Sequence, residues 1–331
     1  MPNPTQGALH VNQLHTDFSV GYLQDQKKYI ADRVFPFVSV AKQTGVYAEY
    51  NRHDFWRDEV AVRAPGTESQ RTGYRTDNTG TYRCQEFSLE FALDDQVRSN
   101  ADNPYNPEQD AVMLLVQKML IKRERDFCSA FLSTNETWDG SSDGSHLISG
   151  TDFTAWSNSG SLPIEDINKR MVMIEQRTGN LPNKLVLGNR QIWHDLKNHP
   201  DIVDRVKHTS DGPVAEGIVA RLIGVDEILV AAGVHSTRAE GMGTSTQAGT
   251  YIGGDNALLV YAPASAGLMI PSVGYTFVWN GLLEGQSYGQ VIEQYREDKV
   301  TSDIFRIRAT WDHVLIDPNC GALFENCSTN I

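Results

Sequence analysis

Between residues 82 and 93 apolar and polar positions alternate, with Phe87, Leu89, Phe91 and Leu93 on one side and Glu86, Ser88 and Glu90 on the other. A period of two is the signature of a half-buried strand. Residues 46–56, which mix Val46, Tyr47, Tyr50, Phe55 and Trp56 with polar neighbours, read as a second strand. Between the two, residues 63–80 carry Pro65, Gly66, Gly73 and Gly80, which punctuate a loop. The pattern predicts a long hairpin, each limb of roughly 20 residues reaching on the order of 60 Å at ~3.3 Å per residue. A two-stranded ribbon without a third strand or a covering helix is marginal in water. The expectation is therefore a ribbon held against other subunits.

The period then changes to that of a helix. Asn106 is placed as an N-cap, Pro107 at the first helical position and Gln109 where a capping box puts it. Val112, Leu115, Val116, Met119, Phe127 and Phe131 recur at helical spacing, predicting a spine helix over 108–132 that is roughly 37 Å long at ~1.5 Å per residue. Glu108 and Asp110 at its start and Lys122, Arg123 and Arg125 in its later half complement the helix dipole. Upstream, residues 34–40 are apolar but contain Pro36, which excludes a helix interior and predicts an extended arm that docks on another surface.

Residues 133–162 are rich in small and polar residues, with Trp138 and Trp156 as isolated anchors, and read as irregular. A helix is expected from Pro163, bearing Ile164, Ile167, Met171 and Ile174, and ending at Gly179. Strands at 184–187, 228–230 and 258–261 alternate with helices after Asn189 and over 214–223, the arrangement of a compact α/β unit. Residues 236–249 read as a mobile small-residue loop. Strands are expected at 275–279 and 304–311, followed by a polar tail after Pro318.

At 331 residues the chain has room for two cores, and a net charge of −13 lacks the basic footprint of a nucleic-acid binder. No apolar stretch approaches the ~20 residues that span a bilayer, and the start lacks the basic and apolar regions of a secretory signal, so cytosol-like conditions and no membrane are expected. Cys84, Cys128, Cys320 and Cys327 are scattered and read as reduced, partly buried thiols. Charge matters most in the hairpin. Between Gln43 and Gln117 there is no lysine, and Arg52, Arg57, Arg63, Arg71, Arg75, Arg83 and Arg98 carry all the positive charge. Arginine offers a planar fork suited to carboxylates at interfaces. Any one of these is more simply a solvated surface charge; the set points to a contact surface. Arg52, Arg57, Arg63, Arg71, Arg75 and Arg83, with Phe35 and Phe37 of the arm, are the candidate inter-subunit contacts.

The succession of an apolar arm at Phe35 and Pro36, a long hairpin carrying Arg63, Ala64, Pro65 and Gly66, the alternating strand from Tyr82, residues Asn100, Ala101 and Asp102 before a spine helix, an α/β unit and a C-terminal β segment resembles the major capsid proteins of tailed bacteriophages, the Hong Kong 97 fold. The resemblance covers residues 12–318 by order of elements. It implies an α+β fold with an N-terminal arm (1–44), an extended hairpin loop (45–98), a peripheral domain (99–180 and 271–331) and an axial α/β domain (181–270). It further implies a virion protein, assembled in the bacterial cytoplasm, that forms pentamers and hexamers with itself around double-stranded DNA held without sequence-specific binding. Scaffold, portal and decoration proteins are the other implied partners. Some relatives begin with a scaffolding domain that a protease removes; none is expected here. Others cross-link a hairpin lysine to an asparagine; without a hairpin lysine a non-covalent shell is expected.

The encapsulin-type compartment shares this fold and is the nearest rival. A third reading is a cytosolic hydrolase, since Gly140, Ser142 and Gly144 match G-x-S-x-G with His146 and Asp152 nearby. Its flanks are polar loop, not the strand-to-helix elbow that this chemistry needs, and loop is preferred. His194, His199 and His208 with Asp195, Asp201 and Asp204 could suggest a metal site, but His194 and His199, five apart, do not share a helical face, and a solvated helix surface is preferred. The glycines at 241, 243, 253 and 254 read as turns, and the sequons at Asn135 and Asn326 have no role without secretion. The expectation is a structural protein with no catalytic residues, metal or cofactor.

Overall fold

The computed structural model describes residues 24–101, 106–133, 138, 145–207, 215–237, 249–267, 269–281 and 290–329. After a 3-10 turn at Gln26–Lys28 come α1 (Ala31–Val34), β1 (Phe37–Val40), β2 (Thr44–Tyr50), α2 (Arg52–Trp56), β3 (Thr76–Arg83), β4 (Gln85–Asp94), α3 (Asp95–Ser99) and the spine helix α4 (Pro107–Phe131). There follow β5 (His146–Ile148), α5 (Pro163–Thr178), β6 (Lys184–Leu187), α6 (Arg190–Asn198), α7 (Pro200–Val206), α8 (Glu216–Ile223), β7 (Glu227–Val230), β8 (Val234–His235), β9 (Thr250–Tyr251) and β10 (Ala257–Val260). The chain closes with β11 (Gly274–Trp279), β12 (Gln290–Glu297), β13 (Ser302–Leu315) and β14 (Gly321–Glu325).

Two five-stranded sheets organise these elements. One has the order β5-β14-β10-β6-β7. Its central strand β10 is buried on both sides: Ala257 and Leu259 face a core with Ile164, Ile167 and Met171 of α5, Leu196 of α6 and Val219 of α8. Leu258 and Val260 face the opposite core, with Phe127 and Phe131 of α4 and Ile30, Val34 and Phe35 of the N-terminal segment. A strand covered on both faces reads as a continuous apolar run, and Leu258, Leu259 and Val260 are one. The helices around it end where the sequence stops them, α5 at Gly179 and α8 at Gly224, with φ of 70° and 93°, a region that glycine enters without strain.

The second sheet runs β1-β11-β13-β12, with β4 also paired to β13. Leu93, Phe305, Ile307, Ala309 and Trp311 pack on Ala111, Leu115 and Met119 of the spine helix. Its opposite side carries charge. Arg306 and Arg308 share Glu293 at 2.8 and 3.1 Å, and Arg308 reaches Glu86 at 2.6 Å. Helix α4 thus lies in two cores, its first half on this sheet and its last turns on the other. Asn106 accepts the Gln109 amide at 3.4 Å, the expected cap.

Several expectations are corrected. The strand expected over 82–93 is two, because its partner changes at buried Cys84: Thr76–Arg83 pairs with β2, whereas Gln85–Asp94 pairs antiparallel with β13. The limb expected at 46–56 bends after Tyr50 into α2, where the Asn51 side chain caps the His53 amide at 3.0 Å. The tail after Pro318 is not polar throughout: Ala322, Leu323 and Phe324 are buried in β14, and β5 lies within the stretch read as irregular. The expected division, with 99–180 and 271–331 apart from 181–270, is not the one that strand pairing draws, because β5, α5 and β14 complete the α/β unit. All four cysteines are free and buried. Among the described residues no helix is long and apolar enough to cross a membrane.

Candidate assembly surfaces

The hairpin starts as a packed structure and ends as an exposed one. At its base, Tyr82 stacks on Phe277 with ring centroids 4.6 Å apart and planes 8° apart, and Tyr47 lies 6.1 Å from the same ring. A β-bulge between Tyr47 and Glu49 shifts the register and bends the ribbon. At α2 the ribbon is tied back to the body. Arg52 donates to the Arg177 carbonyl at 2.6 Å and pairs with Asp317 at 3.1 Å, and Tyr50, Phe55 and Tyr74 form a cluster with centroids 5.7–6.1 Å apart.

Beyond that anchor, residues 57–75 form no helix or strand and are almost wholly exposed. Val60 and Val62 are 95% and 103% exposed. Val60 and Val62, with Ala61 between them, leave a hydrophobic strip that the described residues of the subunit do not bury. Asp54 gathers the excursion at its root, accepting the Arg75 amide at 3.0 Å and pairing with Arg57. These bonds, the Arg75 amide first, hold its carboxyl below the usual carboxylate range.

The eight candidate contact residues fall into three groups. Arg52, Arg57 and Arg75 are engaged within the subunit, at Asp317 and Asp54, and Arg63 donates to the Thr67 carbonyl at 2.6 Å. Arg71 and Arg83 are exposed, and among the described residues neither guanidinium meets a carboxylate. Phe35 is corrected: it is 1% exposed, 4.6 Å from the Phe131 ring, and belongs to the core of its own subunit. Phe37 is half-buried on β1, which pairs in parallel with β11, and Arg123 lies 5.0 Å over its ring. The apolar arm therefore docks on its own chain. The surface that sequence reasoning missed is Val60 and Val62, whose alternation was legible as a short apolar pair inside the loop.

Ser142, His208 and the glycines at 241 and 243 lie outside the described residues. His146 is paired with Glu325 at 2.9 Å, and Asp152 accepts the Ile148 amide at 2.9 Å. His199, expected on a solvated surface, is 3% exposed; its Nδ1 accepts the Asp201 amide at 3.2 Å, capping α7, and its Nε2 is 3.0 Å from Ser161. A histidine can replace Asn or Asp as a cap because its ring nitrogen is also an acceptor. Among the described residues no group of three or more His, Cys, Asp or Glu side chains is close enough to hold a metal ion.

No protein-family model matches the chain. It is 25% identical over 273 residues to the major capsid protein of Burkholderia phage BcepMu, covering 80% of this chain and 82% of that one. Among solved structures, a phage-related protein from Bordetella bronchiseptica RB50 superposes with a TM-score of 0.67 at 20% identity, over 92% of this chain and 94% of that one. The capsid of cyanophage P-SCSP1u gives 0.61 at 11% identity, over 96% and 93%. The holo-SrpI encapsulin complex from Synechococcus elongatus PCC 7942 gives 0.59 at 10% identity, over 97% and 94%.

Proposed function

We propose that this chain, whose fold is that of the Hong Kong 97-type phage capsid proteins, is a major capsid protein that assembles with copies of itself into a closed shell. The observation that carries the reading is the excursion at 57–75, an arm tied to the body at Arg52, gathered at its root by Asp54 and then left exposed with Val60 and Val62 at its surface. Obligate assemblies bury such arms in large interfaces. We read the sheet under the spine helix as the peripheral unit and the α/β sheet as the axial one, with the arm lying on a neighbouring subunit.

The finer reading is pentamers and hexamers of an icosahedral head, in the virion, assembled in the host cytoplasm around double-stranded DNA, with scaffold, portal and decoration proteins as further partners. A wall with a net charge of −13 suits this role, since it gives packaged DNA little to adhere to. The part is structural, without catalysis. The encapsulin-type compartment is the second reading, favoured by the shared fold; the identity to a phage capsid protein along four-fifths of the chain supports the first. Negative-stain microscopy of the expressed protein, with an absorbance check of native particles, tests both. Closed shells or ring-shaped capsomers support shell assembly, and packaged DNA supports the capsid over the compartment. A small uniform particle, with a hydrolytic activity lost in Ser142→Ala, would overturn both.

A further inference from the structure

Residues 30–37 are joined to the spine helix by a buried carboxylate that forms no ion pair among the described residues. Glu124 is 0% exposed. Its Oε2 accepts the Ile30 amide at 3.0 Å and the Ala31 amide at 2.9 Å, so it closes the start of α1; its Oε1 is buried with no hydrogen-bond partner. Arg123, the adjacent cation, turns elsewhere. Its Nε lies 2.9 Å from Asp32 Oδ1, and its guanidinium lies over Phe37 and Trp311 at 5.0 and 5.5 Å. At the other end of α1, Lys184 of β6 donates from Nζ to the Arg33 and Val34 carbonyls, each at 2.8 Å. A four-residue helix is too short to be stable alone, so its seat depends on these end contacts and on the burial of Ile30, Val34 and Phe35.

Each element packed here contributes titratable groups. The N-terminal segment brings Tyr29, whose hydroxyl meets Gln117, and Asp32. The spine helix brings Arg123 and Cys128, β13 brings His313, whose Nδ1 is 3.0 Å from Thr276 Oγ1, and β6 brings Lys184. Burial raises Tyr29 and places Cys128 well above the thiol range; it lowers Lys184 from the ordinary ammonium value and His313 to about 3. Asp32 is raised by burial and pulled down by Arg123. Glu124 is pushed up to about 7 by burial, against the two amide bonds.

We propose that Glu124 is a proton-operated latch between the N-terminal segment and the spine helix: protonated, it seats residues 30–37, and on losing its proton it loosens them. The neutral acid keeps Oε2 free to accept both amides and puts its proton on Oε1, the atom without a partner. Ionisation instead leaves a charge shut off from water, with two amides as its only hydrogen bonds among the described residues. The direction follows from linkage. An acid whose value is higher in the seated state than its exposed value of 4.5 binds more protons when seated, so seating is strongest below that exposed value and weakens as pH rises through about 7. From about pH 6 to about pH 8 the seating equilibrium falls about tenfold.

Hydrogen exchange on the full-length protein tests this. After correction for intrinsic rates, amides 31–35 are expected to lose about tenfold in protection between about pH 6 and about pH 8. Glu124→Gln is expected to give the same protection at both, and Asp32→Asn to keep the wild-type dependence. Protection that does not change in the wild type, a dependence that survives Glu124→Gln, or one abolished by Asp32→Asn, overturns the latch. Should Glu124→Gln fail to fold, infrared titration of the wild type decides. A buried protonated carboxyl band near pH 6 that is lost by about pH 8 supports the latch, and its absence near pH 6 overturns it.

Discussion

The two five-stranded sheets solve the same problem in opposite ways. The α/β sheet is covered on both sides, so β10 presents apolar side chains alternately to two cores and carries no charge at all. The sheet under the spine helix is covered on one side only, and its open side is tiled with arginines and carboxylates. Burial on both faces gives stability with no surface left for a partner. Burial on one face leaves a charged surface whose ion pairs are individually worth little in water. The first sheet is thus closed within the subunit, whereas the second keeps one open, charged face.

Substitutions sharpen this contrast. The largest loss is expected in the doubly covered sheet. Phe324 is fully buried, with Trp156 and Phe153 at centroid distances of 5.3 and 5.5 Å, and Phe324→Ala should cost about 3–5 kcal/mol in denaturant unfolding. In the same unit, a Cβ on Gly188 would stand 2.4 Å from the Gly253 carbonyl oxygen, so Gly188→Ala should destabilise by about 1–3 kcal/mol through a backbone shift. Arg52→Ala should cost about 1 kcal/mol, its pair with Asp317 being part-exposed, and should raise proteolysis of residues 57–75, as the anchor of the ribbon is lost. Replacing Val60 and Val62 together by Ser should leave subunit stability within about 0.5 kcal/mol yet abolish shell assembly, read by thermal melting and microscopy. Undiminished assembly would mean the strip is not an interface.

The end of the other sheet beside the start of the spine helix gives the smallest effect, one confined to acid. Arg98 and Arg296 hold the Asp303 carboxyl below its ordinary value of 3.8. A depressed acid contributes its stability above the unfolded value and loses it as pH falls through the folded one. The acid limb of a stability profile, below about pH 4, should therefore flatten in Asp303→Asn while the profile near neutrality stays unchanged.

Much of the α/β unit was legible because its signals are local. Asn106 and Pro107 mark the start of a long helix, Gly179 and Gly224 end two others, and the run Leu258, Leu259 and Val260 declares a doubly buried strand. What stayed hidden depends on partners distant in sequence. Near Cys84 the phase of the alternation slips, from Tyr82 and Cys84 to Phe87, Leu89, Phe91 and Leu93, but the slip does not name the new partner, which is Asp312 and β13 more than 200 residues on. Ala322, Leu323 and Phe324 are three apolar residues among polar ones, and only pairing with β10 makes them a strand. Phe35 reads as an inter-subunit contact, but sequence does not say whose surface an apolar arm docks on, and its own chain buries it. The same limit applies to the hairpin arginines: residue type suggested contact, and half of them spend it on Asp54 and Asp317 of their own chain.

The parallel pairing of β1 with β11 joins Phe37 to Thr276, and β4 finds its partner more than 200 residues later, with Gln85 opposite Trp311. Residues up to about 300 therefore leave the ribosome before either sheet can be completed, since β13 and β14 follow them in the chain. Contacts of such separation form slowly. The hairpin, complete early in synthesis, has no base to stand on until the end of the chain arrives and Phe277 is seated under Tyr82. The topology sets an order of events: the ribbon takes its observed geometry only after β11 and β13 have been made.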